Sequence, residues 1–162
     1  MTATLSLRVQ TGASPGSQSS AVTGADLISA DNATNSLANR TANPVTVGTN
    51  SFEKFIRLHI DVVPANAVAN FKIWGDGAVA SNTTLMWAGN VTSYTTPTAS
   101  ASSVATTDFT TVTSGAKGTW DAGSYSALNA NTKYTVFQLQ VAPGATPGNW
   151  GTETISFSYD ET

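Results

Sequence analysis

The chain switches between short stretches in which every second residue is apolar and longer ones dominated by Ser, Thr, Ala, Asn and Gly. A period of two marks a strand with one buried face, because successive side chains leave a pleated backbone on opposite sides. Thr4 to Gln10, with Leu5, Leu7 and Val9 in phase, predicts a first strand. The clearest pattern runs from Phe55 to Val63. There Ile56, Leu58, Ile60 and Val62 share one face, and Phe55, Arg57, His59 and Asp61 share the other. Pro64 ends it. Ala67 to Trp74 follows, with Phe71 and Ile73 in phase and Trp74 pointing the opposite way. Gly75-Asp76-Gly77 reads as a turn, since glycine tolerates positive φ and Asp bonds to its own turn. Thr83 to Ala88, with Leu85 and a core Trp87, and Asn90 to Tyr94 predict two more strands. Lys133 to Val141 directs Phe137, Leu139 and Val141 inward and Gln138 and Gln140 outward. Thr152 to Tyr159 puts Ile155, Phe157 and Tyr159 on one face, and is expected to pair with the preceding strand across the Pro143-Gly144 and Pro147-Gly148 loop.

Between these strands lie two long polar segments. Residues 11–50 predict a long loop or extended arm with one short strand at Val45 to Val47, and residues 95–118 a second long loop with at most one or two short strands. Connections of such length usually carry function. Trp120 to Tyr125 and Asn129 to Thr132 read as turns. Only Ala25 to Asn39 hints at a helical period. About seven to nine short strands with turn signals throughout predict an all-β fold, an antiparallel β-sandwich of jelly-roll or immunoglobulin-like topology, formed as a single domain over residues 1–162.

Composition narrows the function more than the fold. In 162 residues there is no Cys, one His and 10% charged residues, so the titratable groups from which active sites are assembled are scarce. The formal charge of −3 is spread thinly, with no basic stripe of the kind that nucleic-acid binding demands. No stretch approaches a membrane span, and the N-terminal residues lack the charged and apolar regions of a secretory signal. Neither nucleic acid nor membrane is expected as a partner, and no cofactor is expected. Hydrophobic residues at 40%, with six Phe, four Trp and four Tyr, are enough for a core without disulfide or metal.

Few constellations carry chemistry. Arg57, His59 and Asp61 stand at spacing two on one strand face, where a His beside an Asp would suit a general base in a hydrolase, and where a charged solvent-facing row is the plainer reading. Asp76 and Asp31-Asn32 have oxygens for a hard cation, but calcium takes six to eight and no loop here alternates acidic ligands, so turn chemistry is expected. Trp74, Trp120 and Trp150 lie beside turn-like residues and are candidate stacking platforms for sugars or candidate interface residues. The Asn-x-Thr triplets at Asn32, Asn39, Asn82 and Asn90 match the glycosylation pattern. In a chain this rich in Asn and Thr they are expected by chance.

The polar loops, the absence of cysteine, the segments Ser51-Phe52-Glu53-Lys54-Phe55-Ile56-Arg57-Leu58 and Asn70-Phe71-Lys72-Ile73-Trp74-Gly75-Asp76-Gly77, and the closing Pro147-Gly148-Asn149-Trp150 leading to Ile155-Ser156-Phe157-Ser158-Tyr159-Asp160-Glu161 together resemble virion structural proteins of tailed bacteriophages. Among these, small β-sandwiches resemble capsid decoration or cement proteins. The resemblance implies a non-enzymatic protein made in the host cytoplasm and carried in the virion. Its expected partners are the major capsid protein, other virion proteins and further copies of itself. Arg57, His59, Trp74, Trp120 and Trp150 are the candidate interface or ligand residues. A carbohydrate-binding or receptor-binding tail domain using exposed Trp rings is the alternative. Contacts are expected from residues 11–50 and 95–118, and deletion of 14–40 is expected to leave a folded domain.

Overall fold

The computed structural model describes residues 2–63, 66–146 and 152–162. Nine strands, one α-helix and one 3₁₀ turn are present among them: β1 Thr4–Thr11, β2 Ser17–Gln18, α1 Leu37–Ala42, β3 Lys54–Val62, β4 Val68–Gly75, β5 Thr83–Val91, β6 Thr107–Asp108, the 3₁₀ turn Phe109–Thr111, β7 Gly118–Tyr125, β8 Tyr134–Val141 and β9 Ile155–Glu161. The strands form two antiparallel sheets that pack against each other, as in a β-sandwich. Sheet one has the order β2-β1-β3-β8-β5-β6 and sheet two the order β7-β4-β9. Among the described residues no helix is long and apolar enough to cross a membrane.

The main core lies where the alternating rows meet. Val9, Ile56, Leu58, Ile60, Leu85, Trp87 and Phe137 come from sheet one, and Val68, Phe71, Ile73 and Trp120 from sheet two. Phe109 and Val112, from the 3₁₀ turn and its cap, join the same core, with Phe109 set edge-on to Trp87 and Phe137. The β3 faces fall as read, though not their burial: Ile56, Leu58 and Ile60 are buried on one side with Val62 half-buried, while on the other Arg57, His59 and Asp61 are half-buried and Phe55 is fully buried.

The outer face of sheet one carries a second cluster, Phe55, Tyr134, Val136 and Ala105, with Met86, Val91, Tyr94 and Val104 packed against it. Residues 92–106 cover this face. Gln138 therefore points away from the sandwich core as expected, yet is fully buried. Its amide donates to the carbonyls of Ser51, Thr98 and Ser100 at 3.1, 3.2 and 2.7 Å, and its Oε1 accepts from Ser102 N at 2.8 Å. Glu53, equally buried, accepts from Thr98 N and from the Ser102 hydroxyl. Two buried polar side chains thus pin the second long segment, because an unpaired buried polar group would cost more than the bonds it makes.

The first long segment is tied down similarly. Ser19 and Val22 donate to the carbonyls of Val9 and Leu7 along the edge of β1. Asp26 pairs with Arg40 of α1 at 2.8 Å, and Ser36 caps α1 by accepting from Asn39 N at 3.2 Å. Lys54 is wholly buried beneath residues 30–32 and donates to the carbonyls of Ala30 and Asn32 at 3.0 and 2.8 Å. Desolvation lowers its pKa to about 8 against the opposing pull of Asp31 and Asp26. At the other end of the chain, Ala3 N donates to Glu161 Oε1 at 2.8 Å and the Tyr159 hydroxyl donates to Ala3 O at 3.4 Å.

Several expectations are corrected. Val45 to Val47 is no strand; it enters a turn closed by Thr49 N to Thr46 O at 3.0 Å. The two strands expected across 83–94 are one, β5, whose register shifts between Ala88 and Val91 and whose Asn90 takes φ 58° to absorb the bulge. Trp120 to Tyr125 is strand β7 rather than a turn, paired with β4 through shifts at Phe71. The helix begins only at Leu37, near the end of its expected range of Ala25 to Asn39, and runs past it to Ala42. β8 and β9 do not pair with each other: β8 joins β3 and β5 in sheet one, while β9 joins β4 in sheet two. Pro147-Gly148, like Pro64, lies outside the described residues.

Candidate functional site

Arg57 and His59 project from the outer face of β3 beside β1, whose Arg8 and Ser6 are their cross-strand neighbours. Arg57 Nη2 donates to Gln18 Oε1 at 2.7 Å and to Gln10 Oε1 at 3.3 Å. Its guanidinium carbon stands 4.9 Å from the centre of the Tyr134 ring. Its Nε is buried without a partner among the described residues. Tyr134 in turn meets Phe55 and Tyr94 at 5.8 and 6.0 Å, so an aromatic cluster fixes the plane on which the guanidinium rests.

This cluster forms the floor of an open cavity of about 440 Å³, into which Arg57, Tyr94, Tyr125, Asn131, Lys133 and Tyr134 face. Lys133 Nζ donates to Asn90 Oδ1 at 2.9 Å. Buried Asp121 accepts from the Tyr125 hydroxyl at 2.5 Å, from Lys133 N at 2.7 Å and from Gly123 N at 2.7 Å. Burial, reinforced by that hydrogen bond, raises the Tyr125 hydroxyl above its ordinary pKa. The Tyr94 hydroxyl, donating to Gly12 O at 2.6 Å, is pushed up to about 12 by desolvation first and then by nearby Asp31. These phenols are donors held in place, not proton-transfer groups near neutral pH.

His59 is oriented for structure. Its Nδ1 lies 3.0 Å from Asn131 Oδ1, which also accepts from Gln18 Nε2 at 2.9 Å. Its Nε2 is 3.9 Å from Asp61 Oδ1, beyond hydrogen-bond reach, and Asp61 faces Arg8 at 3.5 Å. Among the described residues no Ser or Thr hydroxyl bonds to the imidazole.

The tryptophans divide. Trp120 is 2% exposed, with Nε1 donating to Lys133 O at 3.3 Å and its ring 6.0 Å from Phe157; it is a core residue and presents no platform. Trp74 is half-buried, but Lys117 Nζ stands 4.3 Å over its ring and occupies the face a sugar would need. Trp150 lies outside the described residues. Trp87 is core, as expected.

Asp76 serves its turn, accepting from Ala78 N at 3.0 Å and Thr154 N at 3.2 Å, and the Ala78 bond first of all lowers its pKa. Asp31 accepts from Gly12 N at 2.6 Å. Among the described residues no group of three His, Cys, Asp or Glu side chains converges for a metal ion. The cavity itself escaped sequence reasoning except at Arg57, because Tyr94, Lys133 and Tyr134 reach it from segments far apart in the chain. No family model, curated protein or solved structure matches the chain.

Proposed function

We propose that the protein is a non-enzymatic structural component of a virion, a decoration or cement protein that binds the assembled head of a tailed phage through its major capsid protein. The observation supporting this reading is the pinning of both long polar segments by Lys54, Glu53 and Gln138. A loop surface already held in one conformation has little ordering entropy left to lose on association, and weak contacts add up when repeated over a lattice. On that surface Leu37, in α1, is 64% exposed and is an apolar anchor for a neighbouring protein.

Deletion of 14–40 is the wrong test. It removes the carbonyls that receive the Lys54 ammonium and takes away Ile28, itself 3% exposed, together with Val22 and Leu27, which pack against the main core, so the domain itself would fail. The test is addition of purified protein to heads that lack it, with bound copies counted by mass spectrometry. Saturable binding at many copies per head, weakened by Leu37→Glu, is expected. A few copies per particle would move the protein to the tail, and none would remove the reading.

One observation favours a second reading. The cavity joins aromatic rings to an arginine and an asparagine, the mixture with which proteins hold sugars, and it offers a place for a glycan where Trp74 and Trp120 do not. A glycan array read with the intact protein and with Arg57→Ala and Tyr94→Phe separates the two roles. Binding that both variants abolish supports the receptor-binding alternative.

A further inference from the structure

Three of the four outer strands of the two sheets are guarded. β2 and β6, which flank sheet one, have two residues each, too short to template a neighbour. β7 is longer, but its Ala122 N–H is taken by Asn90 Oδ1 at 3.4 Å, and its Thr119 carbonyl abuts Gly89, where any Cβ would collide with it. β9, at seven residues without Pro or Lys, has no such device.

The direction of its backbone groups follows from its two ends. Asp76 N donates to Thr154 O at 3.2 Å, and Ala67 and Thr162 exchange both bonds at 3.1 and 3.0 Å. With the period of two, the N–H and C=O groups of Ser156, Ser158 and Asp160 face β4, and those of Ile155, Phe157, Tyr159 and Glu161 face outward. Among the described residues none of these four has a backbone partner. Ile155 and Phe157 add apolar side chains, 36% and 39% exposed, to the same strand.

We propose that β9 pairs antiparallel with β9 of a second copy about a two-fold axis at Ser158, joining two three-stranded sheets into one of six strands. In that register Phe157 stands opposite Tyr159 of the second copy, an aromatic cross-strand pair made twice. Ile155 meets Glu161 and Ser156 meets Asp160, so the acidic end of each strand faces the uncharged end of the other. The carboxylates at that end are already engaged, Asp160 by Asn70 Nδ2 at 2.8 Å and Glu161 by Ala3 N at 2.8 Å. An unrelated strand would gain the same main-chain bonds without this matching. The pairing concerns the purified chain alone, so it stands or falls independently of head binding.

Sedimentation velocity of the purified 162-residue chain over roughly 10 to 500 µM tests it, the range in which a small interface dissociates. A concentration-dependent dimer is expected. Phe157→Pro removes an outward N–H without touching the β4 ladder, and Phe157→Lys keeps the backbone and adds a charge; each is expected to leave a monomer with unchanged β spectrum. Hydrogen exchange gives a readout that requires no mutation: the Phe157 and Tyr159 amides slow with rising concentration, while the Ser158 amide is slow throughout. A monomer at every concentration, a dimer that survives Phe157→Lys, or outward amides indifferent to concentration would each overturn the proposal. If Phe157→Pro unfolds, the lysine variant and the exchange data decide.

Discussion

Sheet one and sheet two are made from the same kind of alternating strand but are finished differently. Sheet one is covered on both faces near its centre, by sheet two on one side and by residues 92–106 on the other. Sheet two has one covered face and a full-length strand at its margin. The contrast separates two uses of polar residues. In sheet one, Gln138, Glu53 and Lys54 are buried to fasten chain that has no regular structure of its own. In sheet two one polar residue of β7, Asp121, is buried to hold its own strand and Lys133, and the stability of the thin layer comes mainly from the apolar side it shares with its neighbour.

The sharpest way to break this contrast is Trp120→Ala, which removes the largest fully buried side chain and the main support of the three-stranded layer. A loss of about 3 to 5 kcal/mol in denaturant unfolding is expected. Gln138→Leu attacks the other side of the comparison. It keeps the volume but strands the carbonyls and amide that the side chain serves, and a loss of about 2 to 3 kcal/mol is expected, accompanied by faster proteolysis within 98–106.

The buried Lys54 sharpens the contrast through pH. Its folded-state pKa is lowered to about 8, below the unfolded value of 10.5. Between these values the unfolded chain binds the extra proton, so stability rises with pH; below them both states are charged and the burial cost is fully present. A gain of about 2 kcal/mol from pH 8 to 10, flattened in Lys54→Met, is expected in unfolding experiments. Above pH 10 the trend reverses. Tyr94 and Tyr125 have raised folded pKa values, so the folded state then holds the extra protons and loses stability as pH climbs. The smallest effect is expected at Lys117→Ala, which removes an exposed cation from the Trp74 ring at a cost of about 0.5 to 1 kcal/mol and shifts the fluorescence of that indole.

What the sequence made legible was governed by local period. The faces of β3 follow from its alternation, but their burial does not: Phe55, on the same side as half-buried Arg57, His59 and Asp61, is fully buried by the segment that covers that end of the strand. β7 could not be read, because Trp120-Asp121-Ala122-Gly123-Ser124 has the composition of a turn, and only its pairing with β4 and the service of the Asp121 carboxylate make it a strand. Ile155, Phe157 and Tyr159 share a face as their alternation implies, but the degree of burial along that face depends on where the opposite sheet ends, which no local pattern encodes. Gln138 was read correctly in direction and wrongly in exposure, for the lid above it is a polar segment with no period of its own. Of the candidate site, only Arg57 was visible beforehand. The cavity is a property of segments brought together by sheet order, and sheet order is a long-range property.

The bonds from Ala3 to Glu161 and from Tyr159 to Ala3 bring residues 3 and 161 to one corner, next to the margin of the thinner layer. A short peptide bridge between them, with fresh ends opened in an exposed turn such as Gly77-Ala78, should yield a permuted molecule of the same architecture. Chain joined onto residue 3 and chain joined onto residue 161 leave from that single corner, so a display scaffold built on this domain has one port rather than two.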